Sequence, residues 1–98
     1  MYVRIVRGQP QPGQVEEAAR RWQEHHASRL RGLPGFRAAY FIGDRVANTV
    51  GAVTIWDEKP GVALDQAERE FRQRVQDITL GPPTIEVFEV LAVAQLAD

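Results

Sequence analysis

The sequence predicts an α+β domain of ferredoxin-like βαββαβ order, with a four-stranded antiparallel sheet and two helices on one face. Two stretches, residues 14–31 and the segment after Asp57, repeat their apolar residues with a helical period. Four short segments rich in β-branched residues surround them. A helix period falls between strands one and two, and again between strands three and four. Two such split βαβ units interlock into one sheet with both helices on the same side.

The first strand is expected over Tyr2–Arg7, with Val3 and Ile5 on one face. The prolines and glycines of residues 8–13 then predict irregular chain. Gln14–Arg31 reads as a helix whose apolar stripe contains Val15, Ala18, Ala19, Trp22, His26 and Leu30. Glu16 and Glu17 each stand four residues before an arginine, the favoured order for helix-surface ion pairs. Gly32 and Pro34 end that helix. Phe36–Ile42 and Val46–Trp56 read as a hairpin turning at Gly43-Asp44-Arg45. Asp57 suits an N-cap and Pro60 a first helical turn, while Gly61 points to a helix in two parts. Leu64, Ala67, Phe71, Val75 and Ile78 make its stripe. Gly81-Pro82-Pro83 predicts a break, and Ile85–Val93 the last strand.

The 98 residues predict one domain, residues 1–98. A chain of this size buries only roughly 60–65% of its unfolded surface, so association would add to a modest core. The net charge of −1 argues against binding nucleic acid through phosphate attraction. With no cysteine, disulfides and thiolate chemistry are excluded. No apolar run reaches the roughly 20 residues of a membrane span. The opening Met1-Tyr2-Val3-Arg4 alternates like a strand and has no signal-peptide pattern, so a cytoplasmic location is expected.

Both faces of the predicted sheet are apolar. Strand three alternates Val53 and Ile55 with Val50, Ala52 and Trp56; strand four alternates Ile85, Val87, Leu91 and Val93 with Phe88, Val90 and Ala92. Two helices cover one face only, which predicts a homodimer packed through the other faces of two sheets.

Three stretches carry a family resemblance. They are Leu33-Pro34-Gly35-Phe36 before strand two, Val53-Thr54-Ile55-Trp56-Asp57-Glu58 with Phe71 on the following helix, and Gly81-Pro82-Pro83-Thr84-Ile85-Glu86-Val87-Phe88-Glu89-Val90 at the last strand. In this order the chain resembles the antibiotic biosynthesis monooxygenase (ABM) family of dimeric α/β barrels. The resemblance implies a homodimer whose sheets face each other, and a pocket in each subunit between the helices and its own sheet. It also implies cofactor-independent oxygenases of quinol-like or polyphenolic compounds, beside haem-degrading enzymes. The haem-degrading branch uses an Asn on strand one and a Trp and a His on the second helix. Here strand one has no Asn, and the matching helix positions are Asp65 and Val75. That argues against haem chemistry, and no cofactor is expected.

His26 is the polar residue of interest, because it interrupts an apolar stripe one turn after Trp22. It is either a core-edge histidine satisfied locally or a pocket base whose ordinary pKa lies near neutrality. Trp22 and Trp56 are either packing anchors or walls stacking on an aromatic ligand. Tyr40 and Asn48 are either ordinary strand residues or donors to a bound oxyanion. Arg4 and Arg37 read as solvated or rim charges. His25-His26 lacks the i, i+4 spacing of a helical metal site, so no metal is expected. Phosphate-binding loops are absent, and residues 48–55 lack the aromatic and basic run of an RNA-binding sheet. Two functions follow: a cofactor-independent monooxygenase acting on a small aromatic or quinol-like compound, or a non-catalytic dimeric module that binds a ligand or assembles.

Overall fold

The computed structural model describes residues 1–96. Its sheet contains β1 (Tyr2–Pro10), β2 (Phe36–Asp44), β3 (Thr49–Trp56) and β4 (Thr79–Glu89), ordered β2-β3-β1-β4 with every neighbour antiparallel. The first helix comes in pieces: α1 (Val15–Arg21), a π-helical segment (Trp22–His26) and α2 (Ala27–Arg31). The second is α3 (Val62–Val75). Both helices pack on one sheet face, as the periodicity predicts. The fold is the ferredoxin-like α+β sandwich.

Register fixes what each face carries, because residues opposite each other in antiparallel strands point the same way. Tyr2, Arg4 and Val6 of β1 face Trp56, Thr54 and Ala52 of β3, and these point at the helices. Trp22, Leu30, Leu64 and Trp56 form the buried cluster between the layers. Ala18, Val75 and Ile78 form a second cluster, with Phe71 packing against both. On the other face stand Val3 and Ile5 of β1, Val53 and Ile55 of β3, Tyr40 and Ile42 of β2, and Phe88 of β4.

Several boundaries differ from the sequence expectation, each for a local reason. The hairpin turns at residues 45–48, not at Gly43–Arg45. Asp44 Oδ1 accepts the backbone N–H groups of Val46 and Ala47, at 2.9 and 3.0 Å, and Asn48 takes the left-handed conformation with φ 55°. Asp57 caps no helix: α3 starts only after Gly61, so the segment from Asp57 to Gly61 is a connector rather than half a helix. Asp57 instead donates its backbone N–H to the Gly35 carbonyl and accepts a bond from Arg37. β1 runs on to Pro10, and β4 begins at Thr79 and passes through Gly81-Pro82-Pro83. Those three residues bulge opposite Gly8 alone, with Gly81 at φ 69°. An edge strand accepts prolines because half of its N–H groups need no partner. β4 ends at Glu89, so Leu91 and Val93 lie beyond it, exposed. Ile85 and Val87 align with Val6 and Arg4, on the helix side of the sheet.

Gly51 sits in central strand β3, where a Cβ would lie 2.5 Å from the Val6 carbonyl oxygen. Backbone on both sides of that contact is held by pairing. Gly51→Ala is therefore expected to destabilise the fold by about 1–3 kcal/mol, the usual cost of overpacking. Urea denaturation measures it, and an unchanged midpoint would show that β1 and β3 separate freely there.

Candidate functional site

A cavity of about 320 Å³ opens between the sheet, the first helix and α3. This volume lies at the lower end of the roughly 300–1,000 Å³ typical of small-molecule sites. Trp22 and His26 from the π-helical segment, Phe41 and Ala52 from the sheet, and Phe71 and Val75 from α3 give it apolar walls. Toward the end of α3 its lining includes the exposed Gln73 and Gln76 and the Gly81-Pro82 bulge. Thr54 and Glu68 bring polar atoms to the lining.

The π-helical segment places the first two of these residues. An α-helix advances roughly 100° per residue, so every fourth residue drifts by about 40° around the axis. The inward residues Ala18, Trp22, His26 and Leu30 are each four apart, and in an unbroken α-helix the last would stand about 120° from the first. Here the Ala27 N–H reaches back five residues to the Trp22 carbonyl. This wider turn, about 4.4 residues, reverses the drift between Trp22 and His26. All four side chains are buried as a result. The strict spacing of four in the sequence is the sign that could have revealed the π turn.

His26 is only 4% exposed and its ring stacks on Phe71 at 5.0 Å, with Trp22 edge-on at 6.3 Å. Among the described residues no side-chain hydrogen bond reaches the imidazole. Burial lowers its pKa from 6.5 to about 4, helped by the charge of Arg29 and opposed by Glu70. The ring is therefore neutral at physiological pH, with a free lone pair beside an apolar cavity.

Arg4 departs from the sequence expectation. It is not a rim charge: at 6% exposure it lies under the helices, where Nη2 donates to Glu68 at 2.8 Å and to Asp65 at 3.2 Å. Arg4 and Glu68 are both buried, each supplying the charge that makes the other tolerable. Sequence reading missed this pair, though its signal was present. Arg4 sits between Tyr2 and Val6 on the inward side of β1, and Glu68 falls four residues after Leu64 and seven before Val75. Opposite charges on two inward stripes can meet.

The remaining expected site residues lie elsewhere. Trp56 is 1% exposed in the core, with its Nε1 donating to Thr54 Oγ1 at 2.7 Å, and it does not line the cavity. Phe36 packs edge-on against it. Tyr40 is opposite Val53 and so lies on the outer sheet face, 59% exposed, away from His26. Asn48 belongs to the hairpin turn, where its side-chain amide donates to the Pro10 carbonyl. The structure thus joins Trp22 to His26 and keeps Trp56, Tyr40 and Asn48 out of that cavity, while Tyr40 meets Trp22 at a second, smaller pocket beside β2. Arg37 is exposed and pairs with Asp57, as a rim charge should. Among the described residues no cluster of metal-ligating side chains occurs, and no helix is long and apolar enough to cross a membrane.

No family model matches the chain, and no curated protein does. Solved structures do. A monooxygenase of Streptomyces coelicolor, in complex with nanaomycin D, is 16% identical; the match covers 98% of this chain and 92% of that one, with a TM-score of 0.79. A Nitrosomonas europaea protein of unknown function is 19% identical over 99% of this chain and 95% of its own, with a TM-score of 0.75. An antibiotic biosynthesis monooxygenase is 13% identical, covering 94% of this chain and 100% of its own, with a TM-score of 0.70. The chain has the ABM-like fold that the sequence resemblance implied.

Proposed function

We propose that the protein is a cofactor-independent monooxygenase whose cavity takes a small aromatic or quinol-like compound, with His26 as the base. The observation that carries this reading is a neutral, unpartnered imidazole in the wall of an apolar cavity. The fold it shares with a monooxygenase that binds nanaomycin D adds support. Trp22 and Phe71 would flank the ligand, and no metal or cofactor is invoked.

The reaction balances with dioxygen alone. His26 removes a proton from an activated CH2 group of an anthrone-like substrate. The carbanion passes one electron to dioxygen, and the resulting radical pair combines to a peroxide that the imidazolium protonates. Loss of water breaks the O–O bond and forms a carbonyl. One oxygen atom ends in the product and the other in water with the two hydrogens. An imidazole with its pKa near 4 is by itself a weak base. Negative charge on a substrate beside it in a dry pocket raises that pKa as the proton moves. A second reading, a ligand-binding module without catalysis, is favoured by the places of Tyr40 and Asn48, which leave the cavity without those oxyanion donors.

The functional unit in this proposal is a homodimer joined through the outer sheet faces. Val3, Ile5, Val53, Ile55 and Phe88 make that face apolar, and the helices leave it uncovered. A second copy would bury it with two-fold symmetry.

Three outcomes are expected. His26→Ala should retain the fold yet lower oxygen consumption with an anthrone about 100-fold or more, as loss of a general base does. If the residue only packs, His26→Leu will stabilise the protein and leave any activity intact; ligand binding without oxygen uptake would favour the module. The pH dependence has a definite sign. Because the folded pKa of His26 lies below its unfolded value, the unfolded chain binds the extra proton first. Stability should thus fall as pH drops from 6.5 to about 4, by about 3 kcal/mol in all. Most of this window lies above the ordinary carboxylate range, and the decline should vanish in His26→Leu. Finally, sedimentation at micromolar concentration should give twice the monomer mass, and Val53→Asp should abolish the dimer. A stable wild-type monomer would refute the assembly.

A further inference from the structure

Glu68 does more than neutralise Arg4. Its Oε2 accepts the Arg4 bond, while its other oxygen, Oε1, has no hydrogen-bond partner among the described residues, and the side chain lines the cavity. A residue 8% exposed has almost no solvent contact outside that space. The carboxylate is also held in place from behind, since Arg4 is anchored a second time by Asp65. Glu68 is the carboxylate of the lining, whereas Arg4 and the half-exposed Asp65 stand behind it, outside the cavity. The cation at the cavity's edge, Arg72, is solvent-exposed, where water and salt screen it.

We infer that Glu68 is the specificity-determining residue of the cavity: it selects neutral aromatic ligands that carry a hydroxyl donor, and it rejects aromatic carboxylates. The inference rests on the proposed reading of the cavity as the site of an aromatic ligand, and adds which member of that class binds. A phenolic hydroxyl would donate to Oε1, the accessible carboxylate oxygen that Arg4 leaves without a protein partner. A ligand carboxylate would place like charge beside like charge in a desolvated space. Arg29 and Glu70 are the charges that govern His26, not Glu68, so the anchor and the imidazole address different parts of a bound ring system. Phe71, one turn after Glu68 on α3 and stacked on His26, lies between these roles.

The test is a series of three probes of one shape, 1-naphthol, 1-methoxynaphthalene and 1-naphthoate, titrated by calorimetry and by NMR of the Trp22 and His26 signals. The methyl ether is the more apolar, so area burial alone would favour it. A charge-assisted hydrogen bond instead predicts that naphthol binds roughly 10- to 100-fold more tightly. Naphthoate should not bind measurably. In Glu68→Gln the hydroxyl preference should fall below about threefold and naphthoate should become a ligand. Should that variant not fold, the wild-type series decides alone. Equal affinity for naphthol and its ether, or tight binding of naphthoate, overturns the inference while leaving the cavity reading intact. An unchanged preference in folded Glu68→Gln overturns it too. If none of the probes shifts Trp22 or His26, the cavity reading itself fails and the inference falls with it.

Discussion

The structure turns on one hydrogen bond, from the Ala27 N–H to the Trp22 carbonyl five residues back. Without that wider turn, the inward stripe of the first helix would wind away from the sheet after Trp22. Either His26 or Leu30 would then leave the interior. With it, Leu30 seals the core at full burial, and Trp22 and His26 stand side by side at the cavity wall. An insertion of this kind weakens the local helical ladder. Its cost is offset by burial of the leucine beyond it, worth about 1.5–3 kcal/mol. The same bond therefore serves packing and site geometry at once.

Two polar groups then survive in that interior by different physics. His26 stays because it can shed its charge: burial lowers its pKa and the neutral ring stacks on Phe71. Glu68 stays because Arg4 lies within 2.8 Å. A buried ion pair of this sort adds little net stability over apolar packing. Two methylene-rich side chains in their place would fill the core as well and remove the charge. What the pair supplies is a fixed carboxylate at the edge of a largely apolar space. Desolvation also leaves marks of its own, for Arg4 Nε and Trp22 Nε1 are buried without partners. Such unmet donors cost about 1–3 kcal/mol each, a burden the apolar contacts around them must exceed.

Much of the fold was legible because periodicity reports burial directly. The stripes of both helices and the alternation in the strands gave the layers, the antiparallel order and the inward places of Trp22, Phe71 and Val75. Boundaries were less legible, since they depend on side chains bonding to backbone. Asp44 moved the hairpin turn by capping residues 46 and 47, and edge pairing carried β4 through two prolines. Site geometry was legible only where it followed a stripe, as for Trp22 and His26. Tyr40 lies outside the His26 cavity because a bulge near Phe36 sets which residues of β2 face outward. Arg4 reads as a rim charge in the sequence because its partner is 64 residues away, beyond any local pattern.

The two faces of the sheet put opposite demands on one set of strands. Toward the helices, Val50, Ala52 and Thr54 are small enough to leave a cavity rather than a filled core. Away from them, Val53 and Ile55 on β3 and Val3 and Ile5 on β1 present branched, apolar side chains on the face opposite the helices. A chain of 98 residues folded by itself has little stability to spare for an internal void. Covering the outer face would supply apolar burial that the cavity takes away from the inner one. In the proposed dimer, assembly and ligand binding would be linked through β1 and β3, whose pairing holds Arg4 and Thr54 on one side while Ile5 and Val53 would meet a partner on the other. A change that loosens the outer contact would act on the cavity through that shared pair of strands, without touching any residue that lines it.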